Sequence, residues 1–215
     1  MQWPEPCVFT VDLDAGRMAG PVHRYRKRLC DLQGLYADEA AFAALLAQQG
    51  QEVVYEVTDH RPSGEPGDLI TGVTRMAPGK VGDEYFMTRG HMHAVADRPE
   101  LYFGLKGHGL MVMESADGQT RTMEMAPQVV CYVPPLWIHR SVNTGTQDLV
   151  MLFCYPADAG QDYGIIERSN GLRTRIVDDG QGGWRTQANP GYAGRSAAQV
   201  LMLQGLLRQG GEAQP

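Results

Sequence analysis

The sequence predicts a mainly β, single-domain antiparallel sandwich or barrel with a few peripheral helices. From Glu52 to Tyr155 the apolar residues follow a period of two, the repeat of a half-buried strand. Turn clusters interrupt that pattern, among them 77–80, 106–109, 115–118 and 143–145. Twenty-six glycines and thirteen prolines, spread along 215 residues, suit many short strands joined by tight turns. At 43% apolar content the chain can bury one substantial core, and no repeat or linker divides it into independent domains.

Three segments follow along this domain. Residues 1–50 read as an N-terminal arm and helix packing on the barrel. The run Arg24-Tyr25-Arg26-Lys27-Arg28 reads as a solvated charged face. Between 38 and 49 a helix is expected, with Asp38 capping its start, Phe42, Leu45 and Leu46 as its buried stripe, and Gly50 in the left-handed position past its end. Residues 51–168 hold the barrel strands. Residues 169–215 read as a C-terminal loop and helix extension. In it, 178–183 is a polar loop, 196–207 an amphipathic helix against the barrel or a partner subunit, and the tail after Gly210 frays.

Composition excludes several classes. The net charge of −6 argues against nucleic acid as a partner and requires a local cradle for any anionic substrate. No run of 18 apolar residues and no signal pattern in Met1–Pro6 are present, so no membrane partner is expected and a cytoplasmic location follows by default. Cys7, Cys30, Cys131 and Cys154 lack metal or redox spacing and read as buried free thiols.

The chemistry concentrates in Gly90-His91-Met92-His93, in Glu100, and in His139 behind the corner Pro134-Pro135. On a strand, His91 and His93 point to the same face. Glu100 opens the strand-like run 100–106, and His139 closes a third such segment after 129–133. Three imidazoles and one carboxylate, with no thiolate, suit a borderline divalent ion with two coordination positions left for substrate.

These residues resemble the two motifs of the cupin superfamily. His91, His93, Glu100 and Gly107 match the first, and Pro134, His139 and Asn143 the second. Two glycines usual in the second motif are replaced by Gln128 and Leu136, and the gap from His93 to Glu100 is long. That gap points to one branch, the cupin-type phosphoglucose isomerases. The resemblance runs from about Tyr55 to Tyr163, and its most diagnostic string is Tyr155-Pro156-Ala157-Asp158-Ala159-Gly160-Gln161-Asp162-Tyr163-Gly164.

The resemblance implies a jelly-roll-like cupin β-barrel, pairing as a homodimer. It implies a metal-dependent isomerase interconverting glucose 6-phosphate and fructose 6-phosphate; a lone metal with an adjacent carboxylate favours a cis-enediol route over a direct hydride shift between the carbons. It places the metal on His91, His93, Glu100 and His139, with Glu100 also the proton-transferring base. Iron(II) comes first as the one ion per subunit, with manganese, nickel or zinc as alternatives. Tyr55, Thr74, Thr88, Gly90, Tyr102, Tyr155, Gln161 and Tyr163 match positions around the sugar phosphate. Gln161 stands where the family carries His, and an amide can hold a hydroxyl but carries no proton at neutral pH. Three readings compete: an isomerase of another phosphorylated sugar such as mannose 6-phosphate, a cupin metal-dependent oxygenase, and a non-catalytic sugar-binding cupin.

Overall fold

Alternation of inward and outward side chains folds the middle of the chain into two facing antiparallel sheets. The computed structural model describes residues 5–210. The elements run β1 (Thr10–Asp12), β2 (Arg17–Ala19), β3 (His23–Arg28), α1 (Glu39–Gln49), β4 (Val53–His60), β5 (Leu69–Met76), β6 (Lys80–Val81) and β7 (Glu84–Tyr85). Then come β8 (Glu100–Lys106), β9 (Gly109–Glu114), β10 (Thr120–Met125), β11 (Val130–Val133), β12 (Ile138–Val142) and β13 (Leu149–Pro156). The chain continues through α2 (Gly164–Arg168), β14 (Thr174–Asp178), β15 (Trp184–Ala188) and α3 (Ala197–Gly210). The mainly β, antiparallel architecture expected from the sequence is the one found. The expected tail after Gly210 and the start Met1–Pro4 lie outside the described residues.

The larger sheet has the order β11-β8-β13-β5-β4-β3, and the smaller β10-β9-β12. Between them lies the core, with Leu110, Met111, Met125, Ile138, Leu149 and Met151 almost fully buried. Register sets which side chains line the inner face. Tyr25 stands opposite Val57, Val57 opposite Thr74, and Thr74 opposite Met151, a row across four strands. Phe153 opposite Tyr102 forms a second row. Because Tyr55, Val57 and Asp59 are two apart on β4, all three face inward.

The outer face of β4 is covered by the β1–β2 hairpin. The buried Glu56 carboxylate accepts from Arg17, Arg24 and Arg26 at 2.6, 2.7 and 2.5 Å. Arg24 and Arg26, part of the basic run, thus neutralise a buried acid, while Tyr25 between them lies on the opposite face of β3, at the mouth of a cleft. On the smaller sheet every residue of β9 and β12 is buried, so period two disappears there. The cause is the C-terminal segment. Buried Glu114 on β9 accepts from the Arg173 N–H, the Tyr192 hydroxyl and Arg195 at 2.6, 2.8 and 2.8 Å.

The helix expected near 38–49 forms, and the Asp38 carboxylate accepts from the Ala41 N–H at 2.8 Å. Three expectations need correction. Gly50 is right-handed (φ −57°, ψ −24°), because the chain leaves α1 through a turn in which the Glu52 N–H reaches the Gln49 carbonyl at 2.9 Å. In the expected stripe only Phe42 is buried, since Leu45 and Leu46 lie at the margin of the core. All four cysteines are free, but Cys7 and Cys30 are exposed.

Candidate metal centre and substrate cleft

His91 and His93 lie on an extended segment joined to its neighbours by single bridges, rather than on a full strand. His91 pairs with His139, its N–H reaching the His139 carbonyl at 3.0 Å, and Met92 pairs with Asp162. The segment is held from both sides because the bridges alternate, one toward β12 and the next toward the stretch before α2. His139 does not close the third segment; it is the second residue of β12, after a turn at Pro134–Trp137. Leu136 has φ +66° in that turn and Gln128 has φ +71° before β11. These are the positions where the motif usually carries glycine, so the backbone keeps the left-handed geometry without the residue that favours it.

Ligand atoms of His91, His93 and Glu100 all lie within 4.8 Å of one another, and all three residues are buried. Glu100 Oε2 is 3.3 Å from His93 Nε2 and 3.7 Å from His91 Nε2. His139 joins with its Nε2 2.9 Å from the same oxygen. Two of the rings are fixed from behind: His93 Nδ1 is 2.7 Å from the Arg98 carbonyl and His139 Nδ1 is 3.1 Å from the Trp137 carbonyl. Nδ1–H donated to a carbonyl leaves Nε2 as the lone-pair nitrogen facing inward. Nε2 of His91 and of His93 is buried with no hydrogen-bond partner. A divalent ion satisfies such a set of inward lone pairs, so the residues fit the metal the sequence implies.

Charge states agree with that fit. Burial, reinforced by repulsion from His139, lowers His91 to about 3 and keeps it neutral at pH 7. Burial acts to raise Glu100, but the close imidazoles of His139 and His93 prevail and hold it well below the usual carboxylate range. Burial, with the Glu100 charge added, pushes the Tyr102 hydroxyl well up, so it stays a proton donor.

Above this cluster opens a cleft of about 540 Å³, counting its mouth. Tyr55, Thr74, Thr88, Gly90, Tyr102, Tyr155, Gln161 and Tyr163 all line it, together with His91 and Glu100. The Thr88 hydroxyl accepts from the Ser141 N–H at 3.1 Å, which leaves its own hydrogen free for a ligand. Tyr163 donates its hydroxyl to the Gln161 side-chain oxygen. Gly90 has φ +71°, and a Cβ there would stand 2.8 Å from the His139 carbonyl oxygen and from Arg140 Cβ. No larger residue fits.

The family model for glucose-6-phosphate isomerase matches residues 26–193. The chain belongs to this family. It is 56% identical over 202 residues, 94% of each chain, to "Glucose-6-phosphate isomerase" of Sinorhizobium medicae (strain WSM419). It is 41% identical over 181 residues to "Glucose-6-phosphate isomerase" of Thermococcus kodakarensis, covering 84% of this chain and 94% of that one. Among solved structures, oxalate oxidase in complex with the substrate analogue glycolate is similar at a TM-score of 0.43, with 14% identity over 51% of this chain and 55% of that one.

Several lining residues carried no motif signal. Tyr25 is hidden in the basic run, and Asp59, Arg61, Arg89 and Phe153 also face the cleft. Val57 and Asp59 were within reach of the sequence, since they follow Tyr55 at strand spacing. Arg61 is committed to the buried Asp59 carboxylate through contacts of 2.7, 3.0 and 3.1 Å. No helix among the described residues is long and apolar enough to cross a membrane.

Proposed function

We propose that the protein is a metal-dependent aldose–ketose isomerase that interconverts glucose 6-phosphate and fructose 6-phosphate. The observation that carries this is the set of imidazole Nε2 atoms around Glu100, beneath a hydroxyl-rich cleft, in a chain of the isomerase family. His91, His93, Glu100 and His139 would hold a divalent ion, iron(II) first with manganese, nickel or zinc as alternatives, which would supply Lewis acidity at the reacting end of the substrate.

The remaining work falls to the chain's own groups. Glu100, ionised at neutral pH, takes the proton from C2 and returns it to C1 through a cis-enediol, while the O2 hydroxyl proton passes to O1. The carboxylate's low proton affinity makes it a weak base, so transfer requires substrate to loosen its contact with His139. Tyr102, kept protonated, lines the carbonyl end of the cleft. Thr88, Gly90, Tyr55, Thr74, Tyr155 and Tyr163 hold the phosphate end, which fixes the register of the reacting carbons. Gln161 holds the Tyr163 hydroxyl in place. The enzyme works as a cytoplasmic homodimer. Exposed Val130 and Tyr132 at the β11 edge support a pairing face, and a monomer by light scattering at micromolar concentration overturns that part.

The test is metal-loaded protein given glucose 6-phosphate in heavy water. Fructose 6-phosphate carrying deuterium at C1 is expected, and Glu100→Gln with its metal retained should lose that exchange together with turnover. Conversion of mannose 6-phosphate alone would move the assignment to that sugar. No conversion of either overturns it. Turnover without deuterium at C1 replaces the enediol by direct hydride transfer between the carbons.

A further inference from the structure

The hydroxyl groups assigned to the phosphate end carry no charge, and a phosphate brings close to two negative charges into a chain of net charge −6. Two guanidinium groups line the cleft among the described residues, Arg61 and Arg89. They differ in how they are held. Arg61 grips Asp59, a carboxylate that is 2% exposed, through both its Nε and Nη2. Removing it would strand a buried charge. Arg89 is held by one side-chain ion pair, 2.7 Å from Nη2 to Glu167, and the Glu167 side chain is 66% exposed. That pair lies in high dielectric and costs little to open.

The position of Arg89 is nevertheless fixed from two sides. Its backbone carbonyl accepts from buried Arg140 at 2.8 Å, and its guanidinium carbon lies 4.9 Å over the Tyr163 ring. Its backbone sits between Thr88 and Gly90, both already placed at the phosphate end. Burial pushes the Tyr55 hydroxyl up to about 12 and raises that of Tyr163, and at both the Arg89 charge acts in the opposite sense. The charge is therefore felt in the cleft as well as at the surface.

We propose that Arg89 is the exchangeable cation that selects phosphorylated sugars: it leaves Glu167 and pairs with the substrate phosphate while still stacked on Tyr163. Glu167 acts as a resident competitor that occupies Arg89 when the cleft is empty. Its exposed carboxylate returns to water when phosphate arrives, and the dianion wins because a charge-assisted fork is stronger than an exposed pair. The proposal rests on the isomerase reading for the sugar, though not for the anion.

Variants Arg89→Gln, Arg89→Lys and Glu167→Gln separate this from a structural role. Arg89→Gln should raise KM for glucose 6-phosphate by about 10–100-fold with kcat little changed, and Arg89→Lys should fall between it and the parent. Glu167→Gln should lower KM, by about 2–5-fold, because it removes the competitor. If Arg89 merely anchors α2 through Glu167, both changes raise KM, and the proposal is overturned by that shared sign. An unchanged KM in Arg89→Gln overturns it equally. Equilibrium binding of inorganic phosphate to the metal-loaded protein needs no turnover and should shift in the same opposite directions. An enzyme inactive on every sugar phosphate but showing those shifts would defeat the isomerase reading and leave the anion role of Arg89 standing. Equal phosphate affinity in all variants overturns the anion role itself.

Discussion

Gly90→Ala tests how tightly the backbone before His91 is specified. At φ +71° an alanine costs about 1–2 kcal/mol against glycine. Its Cβ would also stand 2.8 Å from the His139 carbonyl oxygen, 2.8 Å from Arg140 Cβ and 2.9 Å from Ile166 Cδ1. Ile166 can rotate away. The His139 carbonyl cannot, since it accepts from the His91 N–H at 3.0 Å, and Arg140 is buried. Overpacking of this kind costs about 1–3 kcal/mol. A total of about 2–5 kcal/mol lowers the melting temperature by roughly 5–15 °C in a chain of this size. Relief comes by separating His91 from His139, which spreads the ligand set and should weaken metal binding by about 10–100-fold. Thermal melts of the metal-free protein measure the first effect, and metal titration with elemental analysis the second. A melting temperature within about 1 °C of the parent, with metal affinity unchanged, would show that this turn yields without moving His91 and would refute the reasoning.

Gln128→Gly is the opposite case, an exposed residue with φ +71°, and should raise the melting temperature by about 1–3 °C without changing kinetic constants; a lower value would show that its side chain is needed. Glu56→Gln leaves three half-exposed guanidinium groups facing a neutral amide, and should cost about 2–3 kcal/mol after allowance for solvent screening, read by urea denaturation. Burial would raise Glu56, but its arginine partners lower it to about 2 in the folded protein. Being depressed, it contributes stability above about pH 4.5 that fades as pH falls toward 2, so the variant should lose less stability than the parent across that window. Thr88→Val should raise KM for glucose 6-phosphate about tenfold with kcat held, Thr88→Ser should restore it, and Tyr155→Phe should act like the valine; a fall in kcat alone would move these residues away from the phosphate.

Much of the site was legible because its chemistry depends on residue type and spacing. Two histidines two positions apart, a carboxylate opening the next strand and a histidine behind a proline corner have few other uses together. What stayed hidden was carried by backbone or by distance. The carbonyls of Arg98 and Trp137, which fix two of the histidine rings, belong to residues whose side chains have no part in that role. Tyr25 looked like one member of a charged run because the acid that neutralises its neighbours, Glu56, lies 30 residues from Arg26. Gly50 satisfied the usual pattern for a left-handed helix end, yet the turn at Glu52 imposed right-handed geometry. Gln128 and Leu136 show the converse: the fold keeps two left-handed positions although the sequence no longer advertises them. The all-buried strands β9 and β12 lost their alternation because a later segment covers them, a tertiary fact absent from any local window.

The central claim is that the cluster around Glu100 holds one divalent ion on which isomerisation depends. Chelator-stripped protein, titrated with a single divalent metal while fructose 6-phosphate formation from glucose 6-phosphate is followed, tests it most directly. Activity should rise from the stripped baseline in proportion to bound metal and level off at about one ion per chain, and His93→Ala should show neither binding nor rise. Full turnover in the stripped protein, or a plateau unrelated to bound metal, would contradict the account.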